Sequence, residues 1–135
     1  MQDSQRFVQQ IEKIDALIRN KRIEREQWEA VALGITSPSI GDKVQSSGNP
    51  QKMADAISTF SDIDRRIDEL LKQRQEIISV IERLKVKEYD LLHKVYVQHM
   101  SLKEAAFALD KTYSNITTLH GMALKNLQII LDEKG

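Results

Sequence analysis

The residues best placed to do chemistry lie in the last third of the chain. Ser101-Leu102-Lys103-Glu104 is a capping box, in which Ser and Glu satisfy each other's free backbone amides and start a helix at Leu102. Asp110-Lys111-Thr112 then offers a tight turn and a second cap, with Thr112 as the capping residue. No acid lies between Asp110 and Asp132, the longest acid-free stretch of the chain, and it contains Lys111, His120 and Lys125. One surface can therefore be locally positive. The chemistry open to such a surface is non-covalent: Lys111 and Lys125 can contact phosphate, and the helix N-terminus at Thr112 adds backbone donors.

Other chemistries have little support. The chain has no Cys, which removes thiol nucleophiles, disulfide frameworks and cysteine zinc sites. His93, His99 and His120 are far apart in sequence and have no partnering ligand cluster, so no metal is expected. There is no glycine-rich phosphate loop and no Ser-His-Asp set, and the carboxylates sit mostly on helical faces rich in bases. The expectation is a protein that is not an enzyme and carries no cofactor.

The elements that must position these residues are helices. Of 135 residues, 41% are hydrophobic, 30% charged and only 5% aromatic, with five Gly and two Pro. That composition fits an all-α chain with a coiled-coil component and room for one ordinary domain or two very small ones. Twenty bases balance 20 acids, and the balance holds segment by segment. A net charge of zero argues against attachment to nucleic acid by bulk electrostatics. No apolar run approaches the roughly 20 residues of a membrane span, and residues 1–20 carry acids and no uninterrupted apolar stretch. A soluble protein of the cytoplasm is expected.

Phe7, Ile11, Ile14 and Ile18 follow a 4-3-4 spacing, and Trp28 falls on the same stripe, which predicts a first helix over 4–33. Gly34 and Pro38 end it, and the Gly- and Ser-rich stretch 34–49 reads as a loop. Asn49-Pro50 is a helix-start signal. Ile63, Ile67, Leu70, Ile77, Ile81 and Leu84 keep a seven-residue repeat broken only at Arg74, with Met53, Ile57 and Phe60 extending the apolar face upstream. A second helix over 50–86 follows. The two helices form a long antiparallel hairpin over 1–86, whose surplus seam is to be covered by the same segment of another chain or by the C-terminal domain, and a homodimer is the expected assembly. The alternating charges of 62–76 read as its solvated face. From 87 to 135 three short helices are predicted: 88–99, one from Leu102 through Leu109, and a last one presenting Ile116, Leu119, Ala123, Leu124 and Leu127 inward. A short helix, a tight turn and a longer helix with a polar leading face make a helix-turn-helix domain.

Ser101-Leu102-Lys103-Glu104-Ala105-Ala106, then Leu109-Asp110-Lys111-Thr112, Ile116 and Ala123-Leu124-Lys125-Asn126-Leu127, resembles region 4 of the bacterial sigma-70 family without a gap. The likeness covers about 88–131, and the N-terminal hairpin resembles none of the other sigma regions. The whole chain is similar to the small phage and prophage proteins that join a coiled-coil N-terminus to a sigma-like C-terminus, several of them late transcription regulators. The resemblance implies binding of double-stranded DNA, with Tyr113, Ser114, Thr117 and Thr118 at promoter base edges, and contact with the RNA polymerase core. The family usually has Arg and Glu after the cap and more Arg later in the helix. This chain has Tyr113-Ser114-Asn115 and Thr117-Thr118, which removes bidentate reading of guanine and makes Asn115 the natural adenine reader if it points into the groove. Two other functional classes fit the same pattern: a small terminase-type DNA-packaging subunit, and a sigma-mimicking module that binds protein and no DNA.

Overall fold

Repeating apolar residues at helical spacing have nowhere to go but into helix–helix contacts, and the chain is all-α. The computed structural model describes residues 3–34 and 50–134. Beyond Gly34, the expected loop over 34–49 and the cap at Asn49 lie outside the described residues. Helix α1 (Ser4–Ala32) is capped by Asp3, whose carboxylate accepts hydrogen bonds from the backbone amides of Gln5 at 2.8 Å and Arg6 at 3.4 Å. It stops where Gly34 takes up φ +79° and returns its amide to the Val31 carbonyl at 3.0 Å, a left-handed step that glycine makes without steric cost. Helix α2 (Pro50–Ile81) runs antiparallel to α1. Asp15 of α1 meets Arg74 at 2.6 Å, and ten residues further on Arg25 meets Asp64, ten residues back along α2, at the same distance.

Three apolar residues expected on the buried seam are not on it. Trp28 is 38% exposed, Met53 37% and Ile57 53%. A straight helix drifts about 20° per heptad against a strict seven-residue repeat. Trp28 lies three heptads beyond Phe7, so it has rotated well off the seam. In α2 the register of Ile63, Leu70 and Ile77, all buried, extends upstream to Ala56, which is fully buried. The helix therefore turns Ile57 outward. The predicted end of α2 at 86 is also too late. After Ile81 the amides of Arg83 and Leu84 bond the Val80 and Ile81 carbonyls at 3.1 and 3.0 Å, tightening the last turn without Gly or Pro. Lys85 is extended, and α3 (Val86–Leu92) begins.

The chain forms two compact units, Met1–Asp15 with Gln73–Gly135, and Ala16–Lys72. Helix α3 of the first unit continues as a π-helical turn over His93–Val97, with α4 (Leu102–Ala108) and α5 (Tyr113–Lys134) after it. Its core joins Val8 of α1 and Val80, Ile81 and Leu84 of the α2 end to Leu92, Tyr96, Ala123 and Leu127. A second cluster of Leu91, Ala105, Ala106 and Ile116 seats α4 on α3 and α5, with alanines permitting the close approach. Polar bonds tie the same pieces together. The buried Glu88 accepts from Asn126 Nδ2 at 2.7 Å, and the Ser4 amide donates to Gln128 Oε1 at 2.8 Å. Arg74, which breaks the heptad, is explained by Asp15. That carboxylate holds the Arg74 guanidinium on one side and His99 Nε2 at 2.8 Å on the other. Burial pushes the Asp15 carboxyl up, but the bonds from Arg74 and His99 outweigh it and hold it below the ordinary 3.8.

The second unit buries Ile18, Ala56, Ile63, Ile67 and Leu70. Its Arg25 also lies over the Phe60 ring, 4.5 Å from the centroid. Arg65–Asp62 and Arg66–Glu69 are exposed i,i+3 pairs at 2.9 and 3.2 Å. Such pairs contribute little to stability and keep that face wet.

Leu127 is fully buried where α5 meets the α2 end and α3. Leu127→Ala should cost about 2–5 kcal/mol, measured by urea unfolding. The exposed Met122→Ala should stay within about 0.5 kcal/mol.

Candidate nucleic-acid interface

The bonds that the capping signals at Ser101 and Thr112 predict are made. Ser101 Oγ accepts the Glu104 amide at 3.1 Å and Glu104 Oε1 accepts the Ser101 amide at 2.8 Å, closing the box at the start of α4. At the other end Asp110 adopts φ 57°. Its amide bonds the Phe107 carbonyl at 3.2 Å and the Lys111 amide bonds the Ala106 carbonyl at 2.9 Å. These are the paired bonds of a left-handed helix stop. Asp tolerates this backbone region better than most residues with a Cβ. Thr112 Oγ1 then accepts the Asn115 amide at 3.1 Å, capping α5. The helix-turn-helix is thus α4, a turn at Leu109–Thr112, and α5.

Helix α5 buries Ile116, Ala123 and Leu127 completely, and Leu119 and Leu124 in part. At about 100° per residue, Ser114, Thr118, Gly121 and Lys125 form the ridge opposite that face, and all are exposed. Tyr113, 51% exposed, and Thr117, half-buried, lie on one flank. The Thr117 hydroxyl donates to the Ser114 carbonyl at 2.9 Å, so its hydrogen is committed to the backbone while its oxygen can still accept. Asn115 lies on the other flank, about 80° from the centre of the ridge by the same geometry. It is exposed, in line with Met122 and Ile129, which are 52% and 51% exposed. Lys111 and Thr112 are exposed in the turn, and neither Lys111 nor Lys125 has an ion-pair partner among the described residues. The fold therefore brings Ser114, Thr118 and Lys125 onto one surface, places Tyr113 and Thr117 at its edge, and sets Asn115 to the side.

Two features escape sequence reasoning. Phe107 is 90% exposed on α4, between Lys103 and Lys111 in sequence. Helical spacing offered the signal, since burying Ala105 and Ala106 turns Phe107 outward. Tyr96 and His120 meet inside the domain, hydroxyl to Nε2 at 2.8 Å with rings stacked at 5.9 Å; no sequence spacing announces that pairing. Among the described residues no group of three or more His, Asp or Glu could hold a metal ion, and no helix is long and apolar enough to cross a membrane.

Removing the α5 cap with Thr112→Ala should cost about 0.5–2 kcal/mol, whereas Thr112→Ser should keep most of it. Thermal unfolding followed by circular dichroism reads the difference.

The geometry agrees with what the chain is similar to. It is 26% identical over 132 residues to a protein of Bacillus subtilis (strain 168) named RNA polymerase sigma factor SigO. That alignment takes in 96% of this chain and 72% of the relative, so the likeness extends well beyond the helix-turn-helix. No solved structure matches significantly. Residues 34–128 match a family described as protein of unknown function (DUF1492), and the chain belongs to that family.

Proposed function

We propose that the protein is a DNA-binding transcriptional regulator of phage or prophage origin, reading double-stranded DNA with a sigma region 4-like helix-turn-helix. One observation carries the reading: behind a fixed turn at Asp110, the Thr112-capped α5 leaves Ser114, Thr118 and Lys125 uncovered on the side opposite its core. The similarity to a protein named as a sigma factor supports it.

In this reading α5 enters the major groove by its N-terminal half. Ser114 and Thr118 meet base edges, with Tyr113 and Thr117 at the margin and Asn115 reaching an adenine from the flank. Lys111 and Lys125 hold phosphates, and the amides of the α5 N-terminus add donors. The protein works in the bacterial cytoplasm as a homodimer, which would place two modules on neighbouring half-sites. It also touches the RNA polymerase core and performs no catalysis of its own.

Mobility shift across a salt series tests this. Lys125→Ala should weaken every duplex alike and reduce the salt slope by about one. Asn115→Ala should change preference at a single base position, read by selection from a random duplex pool. A full-length protein with no salt-sensitive shift on any duplex would make it a protein-binding mimic, and a ring of many subunits in sedimentation would point to packaging.

A further inference from the structure

The Tyr96–His120 contact joins the π-helical turn to the groove-reading helix. The turn is defined by the Gln98 amide reaching back five residues to the His93 carbonyl at 2.9 Å. Its extra residue per turn rotates the chain beyond it, and Tyr96 is its buried side chain, 8% exposed. The Tyr96 hydroxyl meets His120 Nε2 at 2.8 Å and the rings lie 5.9 Å apart at 20°. By helical spacing His120 sits one turn after Thr117 and two after Tyr113 on the same flank of α5. The pair therefore stands directly behind the edge of the surface assigned to DNA.

We propose that Tyr96 and His120 are positioning residues forming a proton-sensitive brace, which holds α5 in its groove-reading attitude while the imidazole is neutral and loosens it when the imidazole is protonated. This rests on the functional reading above for its consequence at DNA, but not for the brace itself. In the Nδ1–H tautomer of the neutral imidazole, His120 Nε2 accepts the tyrosine hydrogen. Protonated, both ring nitrogens become donors, so Nε2 can only donate to the phenol oxygen, the tyrosine hydrogen loses its acceptor, and a cation is left half-buried.

No acid compensates that cation. From α3, Glu88 is bonded to Asn126, and Asp90 is paired with Lys94 of the π turn at 3.1 Å. His93 of that turn bonds Gln98 and packs on Tyr89. From α4, Glu104 is spent on Ser101, and Lys103 is exposed. From α1, Gln5 favours the ionised form of Tyr96, against the larger effect of burial, which raises the phenol. Asp15 is taken by Arg74 and His99. Burial alone acts on His120 and lowers it from the ordinary 6.5. For a group depressed in the folded state, the stabilisation is fully present above 6.5 and is lost as pH falls through the folded value. The Asp15 carboxyl, held below 3.8, stays ionised throughout that window. The sign at DNA is diagnostic: protonating any other histidine adds positive charge and tightens a duplex, whereas releasing the brace weakens it.

The test uses the full-length chain at pH 7.5 and 5.5, as wild type, His120→Gln and Tyr96→Phe. Amide protection factors over residues 113–121 should fall with pH in the wild type, by at most about tenfold one unit below the ordinary 6.5. They should stay constant in His120→Gln, whose neutral amide keeps a partner for the hydroxyl. In Tyr96→Phe they should already be low at pH 7.5. Duplex affinity should follow the same pattern. Equal loss of protection in wild type and His120→Gln, or none in the wild type, overturns the brace. Absence of duplex binding at both pH values would overturn the functional reading, while the protection factors would still decide the brace.

Discussion

The constraint on which the C-terminal unit depends is that α5 must bury one face against several partners at once and leave the opposite face bare. Ile116 belongs to the α4 side of the core, Ala123 and Leu127 to the side made by α3, the end of α2 and Val8. Because those contacts span three turns of α5, they fix its rotation. Rotation is what a groove-reading helix must not lose, since about 100° separates one residue from the next. The polar ties at Glu88–Asn126 and Ser4–Gln128 add direction to a core that hydrophobic burial alone would leave free to slide.

What could be read from the sequence was what local chemistry determines. The capping box at Ser101, the cap at Thr112 and the turn at Asp110 are each decided within about four residues, and each is made. The inward residues of α5 were legible for the same reason, because their spacing and their burial have the same period. Legibility failed where distance accumulates. Trp28 and Ile57 are ordinary apolar residues whose burial depends on summed helical drift over many turns and on the register of the other helix. The break after Ile81 has no Gly or Pro to mark it. Leu84, just beyond it, lies in the core with Leu92 and Tyr96, a non-local fact.

Two left-handed residues bracket α4. His99 at φ 63° precedes it and Asp110 at φ 57° comes after it. Neither is glycine, so each carries strain of order 1 kcal/mol that surrounding contacts must offset. At Asp110 the paired backbone bonds to Phe107 and Ala106 do so. At His99 the Met100 amide reaches the Lys94 carbonyl at 3.0 Å, and the imidazole is held by Asp15. The consequence is that the entry to α4 is referred to α1 and α2 through a single carboxylate shared with Arg74. The interruption of the α2 heptad thereby gains a use: an arginine at a seam position reaches an acid that also steadies the turn into the helix-turn-helix.

Charge balance sets the terms on which such a module could bind DNA. With 20 bases against 20 acids, attraction at a distance is weak, and affinity must come from the few groups at the surface itself. On the α5 ridge those are two hydroxyls and one lysine, with a second lysine in the turn. Short side chains such as Ser114 and Thr118 reach base edges only if the helix backbone comes close. Gly121 on the same ridge has open space where a Cβ would stand, so nothing bulky interrupts that approach. A helix that reads with short side chains tolerates less error in its placement than one that reads with flexible arginines. The rigidity of the α5 seat is therefore not incidental to the proposed recognition: the fewer and shorter the contacting groups, the more the binding free energy depends on the core that aims them.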